Sequence, residues 1–134
     1  MSVERPGSEA PCPCGSGATY GSCCGPIHDG EPAPTAVRLM RSRFSAFALE
    51  LAGHLLRTWH PDTRPPRVDF EPGFSWKRLQ IVDTVKGGDS DDAGIVEFRA
   101  IYSGPDGRGL IHERSSFVRV DGWWLYIEGT VLDE

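Results

Sequence analysis

All four cysteines of this 134-residue chain lie within one short N-terminal segment. Cys12 and Cys14 form a Cys-x-Cys pair, and after eight intervening residues Cys23 and Cys24 form a Cys-Cys pair. Four thiolates this close in sequence can supply the soft ligands of a closed tetrahedral Zn²⁺ site. The segment has too few apolar side chains to fold by burial, so metal binding would itself supply the folding free energy. We therefore predict a structural zinc site held by these four cysteines.

Two other interpretations of the cysteines stay open, namely disulfide bonds and four unrelated thiols. Cys-x-Cys and Cys-Cys pairs are poor candidates for an internal bridge, because a disulfide needs Cβ atoms that are close and correctly oriented. Bridges between the two pairs are geometrically allowed. However, the segment from Met1 to Pro11 is polar and does not resemble a secretory signal, so nothing indicates an oxidising compartment.

The sequence leaves the fourth metal ligand open. Adjacent residues on a helix point about 100° apart, so Cys23 and Cys24 can reach one ion only if the chain bends between them. His28 lies one helical turn after Cys24 and is the alternative ligand. We favour Cys24 because a thiolate is the softer donor.

Helices are predicted after the Pro- and Gly-rich connector that follows the cysteines. Apolar residues recur at spacings of three and four and form one wide face, comprising Met40, Phe44, Phe47, Ala48, Leu51 and Leu55. We expect Gly53 to divide this stretch into a longer and a shorter helix, and Pro61 to end the second. Arg43 lies at the margin of the apolar face, where it either reaches into a cavity or extends toward solvent.

Strands are predicted for the second half of the chain. Strand signals cover 76–85, 95–102, 110–120 and 123–131, and in 95–102 the residues alternate so that Val96, Phe98, Ala100 and Tyr102 share one face. Asp121-Gly122 is a strong signal for a two-residue hairpin turn. Two helices followed by hairpin-linked strands predict an α+β fold, in which a curved antiparallel sheet packs against the helices.

The alternation of the last two strands predicts which side chains face the helices. One register turns Glu113 and Phe117 inward together with Trp124, Tyr126 and Glu128. The opposite register turns the other set inward, namely His112, Arg114, Trp123 and Leu125. We favour the first because its faces share three aromatic residues suited to burial. A buried carboxylate needs a partner, and a Glu113–Arg43 ion pair would supply one.

The cysteine segment, with Gly15-Ser16-Gly17 and Tyr20, resembles the SEC-C zinc knuckle at the tail of the SecA translocase. Residues 39–47, Thr58-Trp59-His60-Pro61 and His112-Glu113-Arg114-Ser115 resemble the YchJ family of bacterial proteins. This resemblance implies a knuckle over residues 1–28, a linker over 29–35 and a cone-shaped domain similar to nuclear transport factor 2 over 36–134. Many family members carry a second Cys-rich knuckle at the C terminus; this sequence has none, so we expect one metal module.

A cone of this kind encloses a pocket at its open end. The candidate pocket residues are Arg43, Trp59, His60, Phe98, Glu113, Phe117, Trp124, Tyr126 and Glu128. His60, beside Trp59 at a helix end, could act as a general acid or base, although such a histidine more often caps the helix.

Charge and hydropathy narrow the classes of function. The net charge of −5 argues against direct nucleic-acid binding, which needs a basic surface. No apolar run approaches the roughly 18 residues of a membrane span, so we expect a soluble cytoplasmic protein. Nothing selects between a monomer and a homodimer.

Three hypotheses remain. The first is a non-catalytic interaction protein, whose knuckle and cone bind a protein partner; the likeness to the SecA knuckle implies the ribosome or an export chaperone. The second is an enzyme that uses Glu113 or Glu128 with His60 or Tyr126 for proton transfer. The third is a carrier that binds a small ligand in the aromatic pocket. We favour the first, because a site of four thiolates leaves no open coordination position for chemistry.

Overall fold

The structure, a computed structural model, describes residues 4–132. A 3-10 turn (Tyr20–Ser22) precedes three helices, which are α1 (Cys24–His28), α2 (Ala36–Leu49) and α3 (Ala52–Arg57). Four strands follow, which are β1 (Ser75–Lys86), β2 (Ala93–Gly104), β3 (Gly107–Val120) and β4 (Trp123–Val131). The strands form one antiparallel sheet in the order β1-β2-β3-β4. The predicted α+β fold, with a curved sheet packed against N-terminal helices, is confirmed.

Helix α2 begins at a threonine cap and ends before Gly53, where we predicted the break. Thr35 caps its start, because the Thr35 Oγ1 atom accepts a hydrogen bond of 3.1 Å from the Arg38 backbone N–H. Its last residue is Leu49, and the C-cap residue Glu50 adopts a left-handed conformation with φ 56°. Gly53, which we expected to break the helix, instead lies inside α3. The break comes at Glu50 because Leu51 then turns its side chain onto the core and its N–H onto the Ala46 carbonyl.

The concave face of the sheet forms the core with α2. Its buried side chains are Leu79, Val96, Phe98, Ala100, Phe117 and Trp124. The predicted Asp121-Gly122 turn is confirmed, since both residues have positive φ values, 53° and 84°. Trp123, which the opposite register would have buried, is 46% exposed.

A bulge in β4 changes which side chains face the core. Ser116 pairs with Glu128 and Phe117 pairs with Tyr126, so Ile127 is an extra residue that reverses the alternation of the strand. Glu128 therefore lies exposed on the outer side of the sheet, contrary to the prediction that it faces the pocket. Gly129 takes the inward position, where an added Cβ would collide with the Glu113 carboxylate.

The cysteine segment and the cone share one hydrophobic core. The buried cluster that includes Leu39, Phe44 and Trp124 also contains the four cysteines, Tyr20 and Ile27. The cysteine segment therefore packs against the cone. Within residues 4–132, no helix is both long enough and apolar enough to cross a membrane.

Candidate metal centre and cone cavity

The four cysteine sulfurs converge on one point. The ligand atoms of Cys12, Cys14, Cys23 and Cys24 all lie within 4.8 Å of one another, and all four residues are buried. The Sγ atoms of Cys14 and Cys23 are 3.6 Å apart, and those of Cys23 and Cys24 are 3.9 Å apart. An ion about 2.3 Å from each corner of a sulfur tetrahedron requires S–S separations of about 3.8 Å. These four cysteines can therefore hold a metal ion.

Local backbone conformations bring the two cysteine pairs together. Gly15 and Gly17 have positive φ values, 76° and 92°, which favour glycine in the loop between the pairs. Cys23 has φ −130° and ψ −102°, so the chain bends there before α1 begins at Cys24. This is the bend that we expected if both adjacent cysteines reach one ion.

The thiols perturb one another strongly because they are packed together. Interaction with the Cys12 thiol, and then with Cys24, lowers the pKa of the Cys14 thiol. Contact with the Cys14 thiol raises the pKa of Cys12 to about 11, and contacts with Cys12 and then Cys14 raise the pKa of Cys24. Four ionised sulfurs at this spacing repel one another, so a central divalent cation is the natural counter-charge for a fully deprotonated set.

Polar groups around the cysteines fit a negatively charged cluster. The Ser16 hydroxyl lies 3.2 Å from the Cys23 sulfur. Arg41, on α2, donates from Nη1 to the Cys14 carbonyl at 3.2 Å and lies 3.8 Å from the Cys14 sulfur. Arg38 donates to the Cys23 carbonyl at 3.5 Å. The arginines join the knuckle to α2 and place positive charge beside the thiolates.

His28, the alternative ligand, lies outside the sulfur cluster and has both ring nitrogens engaged. Its Nε2 atom lies 2.8 Å from the Ser42 carbonyl oxygen, which can only accept, so Nε2 carries the proton. Its Nδ1 atom then accepts from the Tyr20 hydroxyl at 2.6 Å, and Arg5 donates to the same hydroxyl at 3.0 Å. Burial lowers the pKa of His28, in keeping with a neutral ring. The structure thus places Cys24, not His28, with the other three cysteines.

A second buried histidine, His54, extends this network on α3. Arg57 donates to its Nδ1 atom at 3.0 Å, so its Nε2–H faces the Ser42 hydroxyl, also at 3.0 Å. Burial lowers the pKa of His54 to about 3. No role was predicted for His54 from the sequence. The signal for one is the pair of small polar residues, Ser42 and Ser45, at helical spacing on a second face of α2, where another element must approach closely.

The cone contains a partly open cavity of about 280 Å³ between α2, the 58–60 segment and the concave face of the sheet. Its walls are largely aromatic, formed by Phe44, Phe47, Trp59, Trp76, Phe98 and Tyr126. The polar side chains on its surface are Arg43, Glu113 and Ser115, besides the Tyr126 hydroxyl. We call this space the cone cavity.

Arg43 is buried beside the cone cavity, with only 3% of its surface exposed. Its Nη1 atom donates to the Leu55 carbonyl at 2.9 Å and to the Thr58 hydroxyl at 2.8 Å. Its guanidinium carbon lies 4.9 Å from the Trp59 ring centroid and 4.6 Å from that of Tyr126. Burial lowers the pKa of Arg43 to about 10, so the side chain remains charged at neutral pH.

The expected Glu113–Arg43 ion pair is not formed. Glu113 instead accepts a hydrogen bond of 2.7 Å from the Ser115 hydroxyl, and its carboxylate lies over Gly129 of β4. Arg43 makes no ion pair with a carboxylate anywhere in residues 4–132. Both charged groups border the cavity without touching.

The remaining candidate pocket residues lie elsewhere. Phe117 and Trp124 are fully buried in the core and do not line the cavity. His60 is directed away from it, because the 58–60 segment pairs with β4 through the His60 N–H and the Tyr126 carbonyl, which turns Trp59 inward. The His60 ring accepts a hydrogen bond from the Asp62 backbone N–H. The proton-transfer group of His60, Glu113 and Tyr126 is therefore not assembled.

Comparison with known proteins agrees with this architecture. A family model described as the middle NTF2-like domain of YchJ matches residues 35–129, and a SEC-C motif matches residues 10–26. A UPF0225 protein of Streptomyces coelicolor is 52% identical over 92% of this chain and 97% of its own length. A UPF0225 protein of Deinococcus radiodurans is 47% identical over 88% of this chain and 87% of its own.

Solved structures with the same arrangement exist. The solution structure of a SEC-C motif-containing protein from Rhodopseudomonas palustris matches with a TM-score of 0.78 and 31% identity, over 91% of this chain and 98% of that one. The crystal structure of a SEC-C motif-containing protein from Psychrobacter arcticus matches with a TM-score of 0.75 and 29% identity, over 95% of this chain and 85% of that one. With a Cys-rich SEC-C motif packed on an NTF2-like cone, this chain belongs to the YchJ family, also named UPF0225.

Proposed function

We propose that this chain is a non-catalytic Zn²⁺ protein, in which the metal fixes the knuckle against the cone. The observation that carries the proposal is the buried set of four sulfurs at separations suited to tetrahedral Zn²⁺. Four protein ligands leave no coordination position for water or substrate, so the metal has a structural role.

Metal analysis tests this proposal. Purified protein should contain one Zn²⁺ per chain, and Cys14→Ser should lose it together with much of the thermal stability. Ser16→Ala is the matched control, because Ser16 only borders Cys23; it should retain the metal. Full zinc content in Cys14→Ser would refute the assignment.

We further propose that the junction of knuckle and cone binds a protein partner, related to the ribosome or to protein export. Support comes from exposed apolar side chains at the β3–β4 hairpin, where Val120 is 43% exposed and its pairing partner Trp123 is 46% exposed. Beside them runs a groove of about 150 Å³, lined on the knuckle side by Ile27 and on the cone side by Trp123.

Cosedimentation with purified ribosomes is a direct test. The wild-type chain should sediment with ribosomes in a saturable manner, and Trp123→Ser should abolish this. Val131→Ser removes a side chain that is 68% exposed at the far end of β4 and should have no effect. Equal sedimentation of both variants would contradict a role for the junction surface.

The cone cavity supports a second proposed function, the binding of a small ligand. A volume of about 280 Å³ and aromatic walls with few polar groups are typical of such sites, although the volume is at the small end of their range. An NMR fragment screen tests this role, with the indole signal of Trp59 as the reporter inside the cavity and that of Trp123 as the exposed control.

A further inference from the structure

The cone cavity has hydrogen-bond donors that its own residues do not satisfy. Arg43 uses Nη1 for two protein acceptors and makes no ion pair with a carboxylate in the described chain. Among residues 4–132 the Tyr126 hydroxyl makes no hydrogen bond either, and it belongs to a residue that lines the cavity. Because a buried guanidinium without a carboxylate partner is costly, Arg43 indicates that a ligand in the cavity supplies the missing acceptor.

The position of Arg43 favours an anionic acceptor. Its guanidinium lies within 5 Å of the ring centroids of both Trp59 and Tyr126 and is almost completely shielded from solvent. A charge in such apolar surroundings interacts more strongly with an anion than a surface charge does. A carboxylate is planar and matches the paired N–H groups of a guanidinium.

The walls and the volume restrict the rest of the ligand. The aromatic rings of Phe44, Trp76 and Phe98 border the space that lies next to Arg43. Flat rings stack favourably on such walls. A cavity of about 280 Å³ accommodates a single ring with a short substituent, but not a large ligand.

The acidic groups around the cavity limit the charge of the ligand. Glu113 lies on the cavity wall, and an adjoining hollow is bordered by Glu50, Asp69 and Glu71. These carboxylates repel a ligand with two or more negative charges. For a ligand with one carboxylate, the attraction to the buried Arg43 charge exceeds the repulsion from these acidic groups, which solvent screens.

We propose that the cone cavity binds a small aromatic monocarboxylate, with its carboxylate on the Arg43 guanidinium and the Tyr126 hydroxyl. The ring lies between the aromatic walls. This assignment rests on the ligand-binding role proposed above for the cavity and names its ligand class; it does not depend on the zinc site or on a protein partner.

Calorimetric titration of the full chain tests the assignment with three probes of similar size. Benzoate carries one negative charge, benzyl alcohol is neutral, and phenyl phosphate carries close to two. Benzoate should bind at least about tenfold more tightly than either of the others, as a charge-assisted pair with Arg43 implies. Its binding should shift the Trp59 indole signal and leave the Trp123 signal in place.

Two variants change the affinity in opposite directions. Arg43→Gln should weaken benzoate binding at least about tenfold, while Arg78→Gln, an exposed arginine on β1, should leave it unchanged. Glu113→Gln keeps the Ser115 hydrogen bond and removes a negative charge from the cavity wall, so it should tighten benzoate binding severalfold. Glu113→Gln also leaves Arg43 intact and so gives a result even if Arg43→Gln does not fold.

The other outcomes distinguish the ligand class from the ligand-binding role of the cavity. Tighter binding of benzyl alcohol than of benzoate would leave the cavity as a ligand site but overturn the anionic ligand. Preference for phenyl phosphate would overturn the restriction to one charge. Absence of binding by all three probes would overturn both the ligand class and the ligand-binding role of the cavity.

Discussion

Replacing His28 with phenylalanine tests how the knuckle is attached to the cone. The change keeps a ring of similar size at a site that is 7% exposed, but it removes two buried hydrogen bonds. The Tyr20 hydroxyl loses its acceptor, while the Ser42 carbonyl keeps a bond of 3.2 Å from the Ser45 hydroxyl. One donor without a partner and one weakened acceptor should cost about 2–4 kcal/mol of unfolding free energy.

For a domain of this size that loss corresponds to a fall in melting temperature of about 8–16 °C. Calorimetry or circular dichroism of the metal-loaded protein measures it directly. His60→Phe is the matched control, because His60 accepts one hydrogen bond at the surface; we expect a loss below about 1 kcal/mol. Tyr20→Phe combined with His28→Phe should lose less than the sum of the single changes, because the pair then leaves no orphan hydroxyl.

The zinc content of the same variant gives a second result. Since His28 lies outside the sulfur cluster, His28→Phe should retain one metal per chain, whereas Cys24→Ser should not. If His28→Phe loses its zinc while Cys24→Ser keeps it, our ligand assignment is wrong. A change in melting temperature below about 2 °C would show that the histidine network does not join the two parts.

Three further predictions concern the cone. Phe117 is 1% exposed, so Phe117→Ala should lower the free energy of unfolding, measured with denaturant, by about 3–5 kcal/mol. Phe74 is 36% exposed, so Phe74→Ala should lower it much less. Equal losses would contradict the assigned core. Thr35→Ala removes the cap of α2 and should cost about 1 kcal/mol in the same assay, with Thr35→Ser near wild type. Burial lowers the pKa of His54 from its ordinary value to about 3, so between about pH 6.5 and 3 the unfolded chain binds one proton more than the folded chain, and acidification destabilises the fold. NMR titration should find the His54 ring neutral down to about pH 4. Protonation of the ring near its ordinary pKa, about pH 6, would refute its burial.

The regular parts of the fold could be predicted from local patterns. The sequence predicted the four strands, and Asp121-Gly122 marked the last turn. The four cysteines were recognisable because metal ligation in a short loop depends on spacing and residue type alone. Each of these features is determined within a few residues of the chain.

The features that local patterns missed depend on tertiary packing. Glu50 ends α2 because Leu51 gains burial in the core, which outweighs the cost of a left-handed glutamate. The extra residue Ile127 reverses the face of β4, so Glu128 lies outside and the cavity has one carboxylate fewer than expected. The contacts of His28 and His54 with Ser42 join three helices, and no spacing along the sequence encodes them.

X-ray absorption at the zinc edge of the purified protein tests the central claim most directly. Ligation by Cys12, Cys14, Cys23 and Cys24 predicts four sulfur scatterers at about 2.3 Å and no nitrogen. Three sulfurs with one nitrogen at about 2.0–2.1 Å would contradict it, because a histidine would then be a ligand and the Tyr20–His28–Ser42 attachment could not exist as described.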